Sequence, residues 1–200
     1  MKKPIVIKRN QNVNLDLFYF KYIKVMWIFF LYPDKEFSLS EIAYLAKVKK
    51  SNIGRILDEL YKKEFITIVK LRNIWRVKAN RDNWNFIKYK ISYNISFIYS
   101  SGLVEFLVQK YKNPKAIILF GSFRNGEDTS ESDIDIAIWD NNIEEYKTIN
   151  LKELYKFEKE INRKIQIHLF NDKVTEINTF NNIVNGVLLF GSLEVKPYGE

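Results

Sequence analysis

Cysteine is absent from these 200 residues and histidine occurs once, as His168. Those two absences exclude a disulfide framework, a thiolate nucleophile and a Cys/His zinc site. Any metal must be held mainly by oxygen, which points to magnesium or manganese. A long uninterrupted apolar run is also missing. The apolar stretch from Leu15 to Tyr32 is broken by Lys21 and Lys24, leaving only Val25–Tyr32 unbroken. That is short of the ~20 apolar residues a membrane span needs. No small-residue cleavage site follows, so MKKPIVIKRN and the stretch after it do not read as an export signal. The expectation is a cytoplasmic chain with no membrane segment.

What is present suits a folded protein. At 46% hydrophobic and 16% aromatic residues there is material for a packed core. The length fits one large domain or two small ones. Charge divides the chain: residues 1–95 hold 20 Lys and Arg against 8 Asp and Glu, a formal +12, whereas residues 96–200 hold 12 against 16, a formal −4. A basic half joined to an acidic half suggests two domains, the first with a polyanion as partner. A generally lysine-rich proteome would produce the same excess.

In the first half, residues 15–32 fit a buried helix, with Phe18, Tyr22, Val25, Met26 and Phe29 at helical spacing and Pro33-Asp34 ending it. Ser38 or Ser40 can cap a second helix, SEIAYLAKV. A third begins near Ser51, with Ile53, Ile56, Leu57 and Leu60 as an inward stripe that leaves Asn52, Arg55 and Lys62 outside. The runs Phe65–Lys70 and Ile74–Lys78, joined around Leu71-Arg72-Asn73, read as a basic hairpin. The run FSLSEIAYLAKVKKSNIGRILDELYKKEFITIVK resembles archaeal and bacterial winged helix-turn-helix transcription-factor domains. The resemblance implies double-stranded DNA as partner. Lys50, Ser51, Asn52 and Arg55 would meet the major groove, and Lys70, Arg72 and Arg76 would meet phosphates. Winged helices also serve protein–protein contact, and that reading stays open. A homodimer on two half-sites is expected by analogy.

Residues 83–101 are aromatic and Ile-rich, with helical spacing through Phe86, Ile91, Ile95 and Phe97, and read as a connecting helix packed on both domains. A second short helix, Leu103–Tyr111, closes at Asn113-Pro114.

The chemistry concentrates in AIILFGSFRNGEDTSESDIDIAIW, residues 116–139. Strand alternation puts Asp133, Asp135 and Ala137 on one face and Ile134, Ile136 and Ile138 on the other. Two aspartates on one face repel unless a cation lies between them, so a divalent metal is expected there. Farther on, Leu151–Arg163 reads as an amphipathic helix, Lys164–Phe170 as a strand, and Asn178–Leu189 as a last helix with Ile183, Val184, Val187 and Leu188 inward. The later pair Gly191-Ser192 lacks aspartates after it and reads as a turn.

Gly121-Ser122, ten residues, then Asp133-Ile134-Asp135 is the pattern of the nucleotidyltransferase superfamily of DNA polymerase beta, and the chain most resembles its minimal members. This resemblance covers about residues 113–195. It implies transfer of a nucleotide from an NTP, expected to be ATP, with Mg²⁺ or Mn²⁺. Gly121 would let the triphosphate approach the backbone, and Ser122 and Ser132 would contact the nucleotide. Asp133 and Asp135 would hold the metal and carry the catalysis. Minimal members usually have Ala-Arg-Gly where this chain has Arg124-Asn125-Gly126, so Arg124 is the candidate phosphate contact. Their third carboxylate would come from the Lys164–Phe170 strand, where Gln166 is its best match as metal ligand. His168 shares that face and is the candidate base, with an ordinary polar-face residue as the alternative.

With no acceptor-binding domain visible, a protein or small-molecule hydroxyl is expected as acceptor. Minimal relatives are antitoxins that adenylylate a tyrosine of a HEPN-type ribonuclease toxin, which implies such a partner and a DNA-binding domain for autoregulation. The missing third acid supports a second reading, a DNA-binding transcriptional regulator whose degenerate domain only senses nucleotide. The expected fold is α+β: a winged helix-turn-helix at 1–82, a helical connector at 83–112, and a small mixed-sheet α/β nucleotidyltransferase domain at 113–200.

Overall fold

The computed structural model describes residues 13–72 and 74–193. The opening decapeptide, Asn73 of the expected turn and the end of the chain from Glu194 lie outside the described residues. Contacts divide the chain into two compact units: the chain up to Phe30 with Lys35–Ala79, and Leu31–Asp34 with the chain from Asn80 onward.

The first unit runs α1 (Val13–Leu31), β1 (Glu36–Phe37), α2 (Leu39–Ala46), α3 (Lys50–Lys62), β2 (Ile66–Leu71) and β3 (Ile74–Ala79). Tyr22, Val25, Met26 and Phe29 of α1 are buried, as their spacing predicts, while Phe18 is half-buried. Of the two candidate caps for α2, Ser38 is used. Its hydroxyl accepts from Glu41 N–H at 3.3 Å, and the Glu41 carboxylate accepts from Ser38 N–H at 2.7 Å, a capping box. Those backbone and hydroxyl bonds to Ser38 hold the Glu41 carboxyl below its ordinary value. The inward stripe of α3 (Ile53, Ile56, Leu57 and Leu60) is fully buried. β2 and β3 pair from Ile66↔Ala79 to Leu71↔Ile74. This leaves a two-residue connection in which Arg72 takes φ 48°, the left-handed conformation such tight turns require. β1 adds to the other side of β3, giving a three-stranded antiparallel sheet in the order β1-β3-β2.

The second unit contains α4 (Trp84–Ser100), α5 (Leu103–Lys110), β4 (Ala116–Phe120), α6 (Gly121–Asn125), β5 (Ile134–Trp139) and β6 (Lys147–Ile149). A 3₁₀ turn then leads into α7 (Tyr155–Ile161), followed by β7 (Ile165–Phe170), α8 (Ile177–Val184) and β8 (Val187–Gly191). The mixed sheet has the order β6-β7-β5-β4-β8, with β5 and β7 parallel and every other pair antiparallel. A parallel pair needs a crossover, and α7 supplies it.

Alternation along the strands splits the core in two. Ile117, Leu119, Ile134, Ile136, Ile138, Ile165 and Ile167 cluster on one face with side chains of α4, α5 and α7. The other face carries a smaller apolar cluster that includes Ile118, Phe120, Ala137, Trp139 and Phe170. The stretch expected as a connector, 83–112, belongs to this unit. The buried line of α4 is Phe86, Lys90, Asn94 and Ile98, spaced by four, whereas Ile91, Ile95 and Phe97 are half-buried. Among the described residues no single helix is long and apolar enough to cross a membrane; α4 and α5 qualify together, but they are bent by 51°.

Two expectations are corrected. The last helix ends at Val184, and Val187–Gly191 is a strand on the outer edge of β4. Ile183, Val184, Val187 and Leu188 fit helical spacing, but Val187 to Phe190 is also a short continuous apolar run, which suits a strand equally. Leu189 is buried and Leu188 is 41% exposed. β4 is buried at every position, and an edge so apolar has to be covered. Secondly, β6 was not expected; KTI is polar at two of its three positions and has no hydrophobic signal of its own.

Gly186 makes the change from helix to strand possible. A Cβ there would meet Leu119 O, Ile118 Cγ2 and Ile183 O with no room to shift. Gly186→Ala should therefore destabilise the protein by about 1–3 kcal/mol, seen as a lower urea midpoint at unchanged m-value. A midpoint equal to wild type would contradict the packing of β8 on β4.

Candidate functional site

The site lies where β4 ends and β5 and β7 begin, on the sheet face that carries the smaller apolar cluster. β4 runs directly into α6, so the Gly-Ser step is the first turn of a short helix. Gly121 has φ 72°, a left-handed conformation. A Cβ on it would also collide with Asp135 Oδ2, so no other residue lets the backbone pass this close to the carboxylate. Phe120 is the register partner of Asp135, which places the β4–α6 turn beside the aspartates. Asp133 immediately precedes the hydrogen-bonded part of β5, and Asp135 lies within it; both are half-buried.

β7 completes the face. Asp135 is opposite Gln166, and Ala137 is opposite His168. The side chains cross this parallel ladder diagonally. Gln166 Nε2 donates to Asp133 Oδ2 at 2.8 Å, and His168 Nε2 is 3.2 Å from Asp135 Oδ1. Each polar residue of β7 thus reaches the aspartate two positions before its register partner.

His168 is held from behind as well. Its Nδ1 is 2.5 Å from the Tyr146 hydroxyl and 3.3 Å from the Thr148 hydroxyl, and its ring packs edge-on against Phe120. The tautomer that satisfies all partners has Tyr146 donating to Nδ1 and Nε2–H donating to Asp135. Both ring nitrogens are then engaged and the residue is 8% exposed. In this arrangement the ring braces Asp135 from one side while Tyr146 and Thr148 hold the ring from the other. Gln166 likewise spends its amide N–H₂ on Asp133.

The other expected nucleotide contacts are partly committed elsewhere. Arg124 Nη1 donates to Asn125 Oδ1 at 2.8 Å. Ser132 Oγ accepts from Thr129 N–H at 2.9 Å, so it shapes its own loop. Ser122 is half-exposed at the turn.

The residues fit a metal of a particular kind. Asp133 Oδ1 and Asp135 Oδ2 lie outside the bonds to β7. Among the described residues no group of three His, Cys, Asp or Glu side chains is placed to hold a cation. Two carboxylate oxygens suit a magnesium ion whose remaining positions are filled by phosphate and water, so the donor set fits a metal that comes with a nucleotide. A polar cleft of about 420 Å³ opens on Asp133, with Ser130, Glu131, Asn162 and Lys164 among its walls.

A buried ionic cluster under this loop had no counterpart in the expectations from sequence. Asp128 is 1% exposed. Its carboxylate meets Lys90 Nζ at 2.6 Å, Asn94 Nδ2 at 3.0 Å and Arg163 Nη2 at 3.5 Å. Lys90 also donates to the carbonyls of Gly126 and Asp128, and Asn94 to that of Phe123. Burial pulls the Lys90 ammonium below its ordinary value against the opposing pull of Asp128, and burial pushes the nearby Tyr93 phenol up to about 12. The available signal was Lys90 and Asn94 at i, i+4, in line with the apolar Phe86 and Ile98 at the same spacing.

The residues expected to contact DNA are in the first unit. Lys50, Ser51 and Arg55 are exposed and Asn52 is half-buried on the first turns of α3, while Lys70, Arg72 and Arg76 are exposed on the hairpin. Lys50 Nζ donates to Ser40 Oγ at 2.9 Å, Arg55 lies 4.6 Å over the Phe18 ring, and Lys70 lies 4.2 Å over the Trp75 ring.

Residues 103–195 match the family model described as Polymerase beta, Nucleotidyltransferase. The match lies within the second unit and includes every residue of the aspartate site. No curated protein matches the chain.

Because Gly121 admits Asp135 only by lacking a Cβ, Gly121→Ala should displace that carboxylate. On the nucleotide-binding reading proposed below, affinity for Mg-ATP should fall at least about 10-fold, measured by calorimetry. Unchanged affinity would separate Gly121 from the site.

Proposed function

We propose that this protein is a metal-dependent nucleotidyltransferase that moves NMP from an NTP, ATP by preference, to a hydroxyl of a protein or small molecule. The observation that carries the reading is the approach of Gly121 to Asp135 beside Asp133, within the matched domain. Asp133 and Asp135 would hold Mg²⁺ together with the triphosphate. Bound there, the metal would supply charge neutralisation for the triphosphate. The chain's own part is positioning. Gln166 and His168 fix the two carboxylates, the Gly121 turn admits phosphate against the backbone, and the cleft beside Asp133 offers room for an acceptor.

The acceptor we favour is a tyrosine hydroxyl of a HEPN-type ribonuclease toxin encoded alongside, which makes the protein an antitoxin. Its first unit would bind double-stranded DNA for autoregulation. What supports the DNA reading is the winged-helix order of elements, the basic balance of residues 1–79, with 17 Lys and Arg against 7 Asp and Glu, and the exposed cations on α3 and the hairpin. Replacing Arg55, Lys70, Arg72 and Arg76 together by alanine should abolish most retention on duplex DNA at low salt and flatten its salt dependence. Unchanged retention would overturn it.

A second reading has a specific observation behind it. The β7 face beside Asp133 and Asp135 carries Gln166 and His168 rather than a third carboxylate, and both ring nitrogens of His168 face partners. A regulator that binds nucleotide without turnover would have such a site. Incubation with labelled ATP, Mg²⁺ and the co-encoded partner distinguishes the two. Transfer of label by wild type and its loss in Asp133→Ala/Asp135→Ala is the expected result. Nucleotide binding with no label on any acceptor would establish the sensor instead.

A further inference from the structure

We infer that Asp34, far upstream of the matched region, is a positioning residue for the metal-binding aspartate Asp133; this rests on the nucleotide-binding reading above. Asp34 lies in the short Leu31–Asp34 segment that belongs to the second unit although the chain on both sides of it belongs to the first. Its carboxylate accepts two hydrogen bonds from one residue: Ser130 N–H to Oδ1 and Ser130 Oγ–H to Oδ2, both at 2.7 Å. Bonds to an ionised acceptor at that length are the strong kind. Arg163 grips the same residue from another side, its Nη1 donating to Ser130 O at 3.3 Å and its Nη2 to Leu31 O at 2.5 Å. Ser130 is 6% exposed, and its amide, hydroxyl and carbonyl are all taken.

Ser130 matters because its turn leads straight into Asp133. Residues 129–132 are closed on themselves: Thr129 N–H donates to Ser132 Oγ at 2.9 Å, and Ser132 N–H donates to Thr129 O at 3.3 Å. On the far side of Asp133 the ladder begins, with Ile134 N–H donating to Lys164 O at 2.8 Å. Asp133 therefore has its backbone hung between a strand fixed by the sheet and a turn fixed by Asp34 and Arg163, with one carboxylate oxygen tied to Gln166. The bonds inside the turn move with it, so they cannot hold Asp133 in place on their own. Loosening Asp34 lets the turn pivot, and the Asp133 oxygen that meets the metal loses its fixed position. Ligands held by outer partners lose metal affinity when those partners are removed.

The test uses the full-length protein with Mg²⁺ and a fluorescent ATP analogue, and reads the Mg²⁺ concentration needed for half-maximal nucleotide binding together with thermal stability. Asp34→Ala should raise that concentration about 10-fold. Asp34→Asn should fall between it and wild type, because its amide keeps one acceptor for Ser130 N–H and offers a donor to Ser130 Oγ. Ser130→Ala, which removes one bond and keeps the other, should give a smaller rise and carries the test with Asp34→Asn if Asp34→Ala does not fold. A lowered melting temperature with unmoved Mg²⁺ dependence would make Asp34 merely structural and overturn the inference. Absence of nucleotide binding by wild type at any Mg²⁺ concentration would remove the nucleotide reading, and this inference with it.

Discussion

A carboxylate with almost no access to water, Asp128, has a lysine, an asparagine and an arginine drawn in around it. Burying one anion between two cations is costly in desolvation and is tolerable only when every partner is present. The backbone adds to the set: carbonyls of Gly126, Asp128, Ser130 and Leu31 accept further N–H groups of Lys90 and Arg163, leaving Arg163 Nε without a partner. The loop between α6 and β5 thus has few ways to relax without stranding a charge. Gly121 stands just before that loop and Asp133 at its far end.

The division of labour between the two faces of the sheet follows from this. One face is given to isoleucine and leucine against helices, and supplies most of the hydrophobic stabilisation. The other has a small apolar patch at one end and leaves the opposite end to Asp135, Gln166 and His168. In a sheet with one face fully packed, register cannot slip, because a one-residue shift would exchange the aspartates with the isoleucines. The core therefore fixes the geometry of a polar site it never touches.

Short-range pattern was legible in the sequence. The α3 stripe, the β5 alternation, the hairpin and the placing of Gln166 and His168 on one strand face all derive from periods of 3.6 or 2. Less legible were the features set by distant partners. β8 is a strand because β4 needs its edge covered, and a short continuous apolar run that suits helix or strand cannot announce this. The role of His168 depends on Tyr146 and Thr148 on or beside a strand with no hydrophobic signal. Asp128 and Asp34 find their partners across 34 to 96 positions of chain, and an aspartate in a polar loop looks like any solvated residue until those partners are known. Lys90 and Asn94 were the nearest to a visible clue.

Arg163 also sets an order of assembly. It bonds to Leu31, 132 positions earlier, and to Ser130, 33 positions earlier, so it joins parts of the chain synthesised far apart. Contacts at such separation form late, since the entropy of closing the intervening loop has to be overcome first. During synthesis the aspartates emerge well before the arginine that immobilises their loop. A nascent chain that has passed Asp135 but not Arg163 carries the whole Gly-Ser and Asp-Ile-Asp sequence without the site. The centre is complete only when the second half of the sheet, with Gln166 and His168 on β7, has been made.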